Sequence, residues 1–226
     1  MRQVLLGMGV LALLATAPAV SAQQLYGNFD GTMIGDSRRE SEVSRRPDYL
    51  TGGARQGICP LVKGASAEVN AYVSARLRQV ANDVGARYAN SRCEPNMVVL
   101  FSSEPQQLVD EASRKGRFNY RGVTPQKADA FKSSAQPVRW MHGTATPGMK
   151  TKDARPYNSL VVVDASKTAG MKVSALADYV TMVSLADVQN RAAPDNSIMN
   201  LFDDGAAPQA MTDADRAYLR TVYRSR

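Results

Sequence analysis

Apolar residues at Val69, Tyr72, Val73, Leu77, Val80 and Val84 recur with helical spacing, predicting a long helix. Ser66 is placed to cap it, Glu68 sits in its first turn, and Gly85 lies near its end. Asn96–Phe101 (NMVVLF) is a short continuous apolar run and reads as an interior strand. A second helix is expected over Ser103–Arg114. Ser103 and Gln106 stand at capping-box spacing there, and Pro105 falls in the first turn, where its missing N–H costs little. Gln136–His142 (QPVRWMH) and Asn158–Val163 (NSLVVV) predict two strands, joined as a hairpin through the turn-rich stretch Gly143–Tyr157. Leu176–Val188 reads as a largely buried helix, and Met211–Tyr223 as a last, capped one. The order predicts an α+β fold. A small mixed sheet, covered mainly on one face, would carry a long backing helix, a central helix and a C-terminal helix.

The two ends of this pattern mark the domain. Arg2, the short apolar run Val4–Ala15 and the small residues Val20-Ser21-Ala22 form a signal peptide over residues 1–22. That run is too short to cross a membrane comfortably, so no transmembrane segment is expected after cleavage. Residues 23–56 are polar and weakly periodic and read as a flexible arm, leaving 57–226 as one α+β domain. In an exported chain the two cysteines, Cys59 and Cys93, are expected to form a disulfide, two separate buried thiols being the alternative. The expected location is periplasmic or secreted.

Charge adds one feature. The formal net charge is +7, and the segment Arg114–Arg155 holds ten basic residues against Asp129 and Asp153. Such a segment can meet an anionic envelope component or an acidic patch on another exported protein, and Arg117, Arg121 and Lys132 are its candidate contacts. The alternative is an ordinary solvated surface. Phe118, Tyr120, Phe131 and Trp140 interleave with these charges, but export argues against nucleic acid as the partner, and packing explains them more simply.

The last fifty residues carry the most specific pattern. Ser197-Ile198-Met199-Asn200 and Met211–Tyr223, with its Thr-x-x-Asp start and Leu-x-x-x-Tyr end, follow the buried helix in order. This stretch resembles the C-terminal half of zincin-class domains, particularly the metzincins of matrixin type. Those enzymes place two histidines and a glutamate on a helix as HExxH, add a third ligand beyond a glycine, and carry a methionine turn beneath the metal. With Ser184-Leu185 set on the family's Gly-Leu, Ala177 falls on the first histidine, Asp178 on the glutamate and Thr181 on the second histidine. Asp187 falls on the third ligand. The resemblance therefore implies a zincin-like framework from which the zinc ligands are missing, with no metal and no cofactor. It covers about a quarter of the chain.

Other chemistries find little support in the residues. The sole histidine, His142, lacks a Gly-x-Ser-x-Gly elbow for a hydrolytic triad. Asp203-Asp204-Gly205 lacks the ligand spacing of a calcium loop, and Asp213 and Asp215 are explained by helix N-terminal charge. The leading expectation is an exported, non-catalytic binding domain. Two alternatives stay open: a hydrolase of envelope material working through His142 or the Asp178/Asp187 pair, and a structural envelope protein without a dedicated site.

Overall fold

The computed structural model describes residues 57–89, 93, 95–118, 123–143, 158–188, 193–203 and 208–224. The leader and arm expected over 1–22 and 23–56 lie outside them. Four strands and five α-helices follow one another along the described chain: β1 (Pro60–Lys63), α1 (Ala67–Asp83), β2 (Met97–Ser102), α2 (Pro105–Arg114), α3 (Pro125–Ser133), β3 (Val138–Gly143), β4 (Asn158–Asp164), α4 (Val173–Leu185) and α5 (Asp213–Arg224). A single 3-10 turn, Ile198–Asn200, lies between α4 and α5. None of these helices is long and apolar enough to cross a membrane.

The sheet is mixed, in the order β1-β2-β4-β3. Strands β1, β2 and β4 run parallel, and β3 closes one edge antiparallel to β4, so the predicted hairpin forms. Side chains alternate across the pleat. Met97, Val99, Phe101, Val138, Val161 and Val163 face a large core shared with α1, α4 and α5. Leu160, Val162 and Met141 face a second, smaller core closed by Val109 of α2 and Phe131 of α3. Helices thus cover both faces of the sheet, where one covered face was expected. The burial of every residue of β4 follows from that, and explains why NSLVVV has no polar alternation.

The extra layer comes from α3, which carries almost no periodic signal: only Ala128 and Phe131 of its nine residues are buried. Its start is nevertheless local chemistry, with Thr124 Oγ1 accepting from Lys127 N and Pro125 at the first position. The cap of α1 is Ser66, as its sequence suggests. The expected Ser103–Gln106 box does not form. Glu104 is the cap residue of α2 and makes no side-chain capping bond, while Ser102 Oγ accepts from Glu104 N.

Cys59 and Cys93 are joined, with Cα atoms 6.0 Å apart. Nearby, Asn96 Oδ1 accepts from Cys59 N at 2.8 Å and its amide donates to Gly57 O at 2.9 Å. The bridge and the buried amide together clamp the chain entering β1 against the chain entering β2. At the other end of β1, Gly64 has φ of +102°, and a Cβ there would lie 2.2 Å from the carbonyl oxygen of Phe101. Only glycine permits that approach.

Candidate functional site

Helix α4 is buried around its circumference, every residue from Ala175 to Leu185 lying inside the protein. Ala177, Asp178, Thr181 and Ser184 therefore all lie inside the protein rather than in an open cleft. Asp178 receives a two-pronged bond from Arg76 of α1, Nε on Oδ1 and Nη2 on Oδ2, the latter at 3.0 Å. The backbone N–H of Met211, just before α5, donates to Oδ2 at 2.7 Å. The carboxylate in turn holds the Arg76 guanidinium above its ordinary pKa through that hydrogen bond. Asp178 is thus a three-way tie between α1, α4 and α5. Thr181 Oγ1 and Ser184 Oγ are buried with no hydrogen-bond partner among the described residues.

His142 lies at the opposite end of α4. An α-helix leaves its last carbonyls without partners of its own. His142 Nε2 donates to Val183 O at 2.6 Å, and Tyr223 Oη donates to Leu185 O at 2.8 Å, so β3 and α5 each cap one of them. Burial is the dominant influence on the imidazole and pulls its pKa down to about 4, with the Asp187 carboxylate opposing. The ring is neutral at pH 7. Asp187 is ion-paired to Lys127 of α3 at 2.6 Å, and its Oδ1 is 4.0 Å from His142 Nδ1. The structure brings His142 and Asp187 together, whereas Asp178 pairs with Arg76 and Asp187 with Lys127.

The Ser-Ile-Met stretch is built around one carboxylate. Asp215, fully buried in the first turn of α5, accepts from Ser197 Oγ at 2.6 Å and Ile198 N at 2.9 Å. It also accepts from Thr212 N at 3.0 Å and Thr212 Oγ1 at 2.9 Å, while Asp215 N donates back to that hydroxyl. This is a capping box extended to grip a turn far away in sequence. Sequence reasoning assigned Asp215 only a helix-end charge. Above it, Tyr179 of α4 stacks edge-on with Trp140 of β3 and with Phe202 beyond the turn, at 6.2 and 4.8 Å. Burial, aided by the Asp203 charge, pushes the Tyr179 phenol upward.

The basic segment is only partly described. Arg117 is exposed, Lys132 is half-exposed with Asp129 3.9 Å away, and Arg121 lies outside the described residues. Phe118 packs edge-on to Phe131 in the second core at 5.9 Å, and Trp140 packs on Tyr179, so both serve packing.

A groove of about 490 Å³ opens where β2 and β4 end, between the first turn of α2, the α3–β3 connection and the turn after β4. Gln106, Ala135, Arg139, Asp164 and Lys167 line it. Arg139, on β3, is buried, and burial lowers its pKa against the pull of Asp164 and Asp110. Asp164 Oδ1 accepts from Ser166 N, Ser166 Oγ and Lys167 N, shaping the turn that follows. From the sequence, Gln106 was singled out only as a capping residue and Arg139 only as one charge of the basic segment. The available signal was a charged residue inside the apolar strand pattern of QPVRWMH. Among the described residues, no three His, Cys, Asp or Glu side chains converge as a metal site would require.

No family model matches the chain, and no curated protein or solved structure matches it. The fold and the site therefore define a class only at the level of a mixed α+β domain with a disulfide.

Proposed function

We propose that this is an exported, zincin-like domain without protease activity, which works by binding. The observation that carries the reading is the surroundings of α4 at the aligned positions. Ala177 has no ligand atom, Thr181 is a poor one, and the Asp178 carboxylate is consumed by Arg76 and Met211 N. A general base must be free to take a proton from water beside the metal, and this carboxylate is not. Support for the framework comes from the Ser197–Asp215–Thr212 knot, which binds the methionine-bearing turn to the closing helix beneath α4. The disulfide and the leader pattern support a periplasmic or secreted location. The contact surface on this reading is the basic segment with Arg117, Arg121 and Lys132, and the partner is an anionic envelope component or another exported protein.

The hydrolase reading has less behind it. His142 spends its Nε2 on a helix carbonyl, and the two aspartates have separate cations. The test is an assay of the mature protein on denatured protein substrates, with and without chelator, alongside its metal content. The expected result is no chelator-sensitive cleavage and no stoichiometric zinc. Proteolysis abolished by chelator would overturn the proposal.

A further inference from the structure

We propose that the groove at the carboxyl ends of β2 and β4 binds the carboxylate of a small polar molecule, with Arg139 as the principal contact. This goes beyond the zincin-like reading and does not depend on it, since no lining residue belongs to α4 or to the turn beneath it.

Topology makes the crevice. Ser102 and Asp164 end their strands side by side in register. From β2 the chain turns to α2 on one face of the sheet, and from β4 it turns to α4 on the other. In open α/β sheets, adjacent strands whose connections part in this way leave a cleft outside their carboxyl ends, and ligands bind there. The volume of about 490 Å³ suits a small molecule.

Arg139 supplies the chemistry. Its residue is 5% exposed, yet its guanidinium forms no ion pair among the described residues. Nη1 donates to Gln106 Oε1 at 2.9 Å and to Lys132 O at 3.4 Å, which fixes the plane of the group. Nε and Nη2 have no acceptor among the described residues. Asp164 and Asp110 lie near enough to favour the guanidinium charge, but neither accepts a hydrogen bond from it, and a carboxylate fits two guanidinium N–H groups side by side.

Two neighbours favour the same charge. The first turn of α2 carries no side-chain cap, and Gln106 and Gln107 of that turn line the groove, so its amides and helix dipole add to the attraction. Lys167 stands at the rim with Nζ donating to Ala135 O at 2.7 Å. Glu104 and Asp164 line the groove as well, so the lining charges balance before a ligand arrives. The two lining carboxylates, one of them 3.8 Å from Lys167 Nζ, repel a phosphate dianion more than a carboxylate.

The experiment is amide NMR of the mature protein titrated with small polar monocarboxylates led by N-acetylalanine, each beside its methyl ester, and with inorganic phosphate. Saturable shifts at Gln106, Gln107, Arg139 and Lys167 with the acids and not the esters are expected. Equal shifts with acid and ester, saturation by phosphate alone, or no saturable shift at all would each overturn the proposal. Arg139→Gln should abolish the response. Because that change also strands two acceptors, Ala135→Tyr is the second variant: it fills the groove from an exposed position. It should weaken binding at least about tenfold with the rest of the amide spectrum unchanged. Unaltered binding in Ala135→Tyr would sink the assignment of the groove, whatever the protease assay reports.

Discussion

Asp178 on α4 and Arg76 on α1 form a two-pronged ion pair, part-buried, whose buried carboxylate also holds the Met211 N–H of the chain entering α5. Removing one partner of such a pair leaves the other charge with nothing to compensate it. Asp178→Ala should therefore destabilise the domain by about 2–4 kcal/mol, water reaching part of the Arg76 side chain. Replacing both with Leu should recover a large part of that loss, though the orphaned Met211 N–H keeps roughly 1–3 kcal/mol. Urea unfolding of the three variants measures this. An Asp178→Ala protein of native stability would show that the pair contributes nothing to the fold.

Asp215 answers a different question, because helix-end charge and turn-gripping make different demands. Asp215→Ala strips acceptors from Ser197, Ile198 and Thr212 and should cost about 2–4 kcal/mol. Asp213→Ala, at an exposed first-turn position, should cost about 0.3–1 kcal/mol. If the two variants unfold at the same denaturant concentration, Asp215 is only a helix-end charge.

The buried hydroxyl of Thr181 has no hydrogen-bond partner among the described residues. Thr181→Val keeps the shape and removes the unsatisfied oxygen, so stability should rise, by about 1 kcal/mol. A drop in the thermal midpoint would mean that the hydroxyl has a bonded partner in solution.

His142 makes stability depend on acid in a defined window. In the folded protein the imidazole has its pKa near 4, set mainly by burial, against an ordinary value near 6.5 in the unfolded chain. Between these values the unfolded state binds the extra proton, so stability falls as pH drops from about 6.5 to about 4. The loss from this group is roughly 3 kcal/mol over the window. Asp187 and Lys127 face the ring and act in opposite directions. His142→Gln should lower stability at pH 7 and flatten the slope between pH 4 and pH 6.5. An unchanged slope would assign the acid sensitivity to carboxylates instead.

Reduction of the Cys59–Cys93 bridge opens a loop spanning 34 residues. On the chain-entropy model its loss should cost about 3–4 kcal/mol. The Cys59→Ala/Cys93→Ala double variant, compared with wild type with and without reductant, measures it. A reductant effect persisting in the double variant would place the cause elsewhere.

The parts of this fold that can be read along the chain are those whose physics is local. The stripe from Val69 to Val84, the cap at Ser66 and the apolar runs of β2 and β4 need only helical or strand periodicity, and each formed as its residues suggest. The same holds for the β3–β4 hairpin and the two cysteines. Helix α3 escaped because a helix that buries two residues leaves almost no period. The second layer over the sheet followed it out of sight, although the unbroken apolar run of β4 already required cover on both faces.

The candidate sites divide along the same line. That Ala177 offers no ligand atom follows from residue identity alone, in this fold or any other. What Asp178, His142 and Asp215 do was decided by tertiary structure. A carboxylate or an imidazole is neutral or charged, catalytic or structural, according to what surrounds it. Their partners Arg76, Val183 and Ser197 come from elements far away in sequence. Arg139 is the sharpest case: in the chain it is one charge within a strand, and only the departure of the chain after β2 and after β4 to opposite faces of the sheet gives it a groove to face.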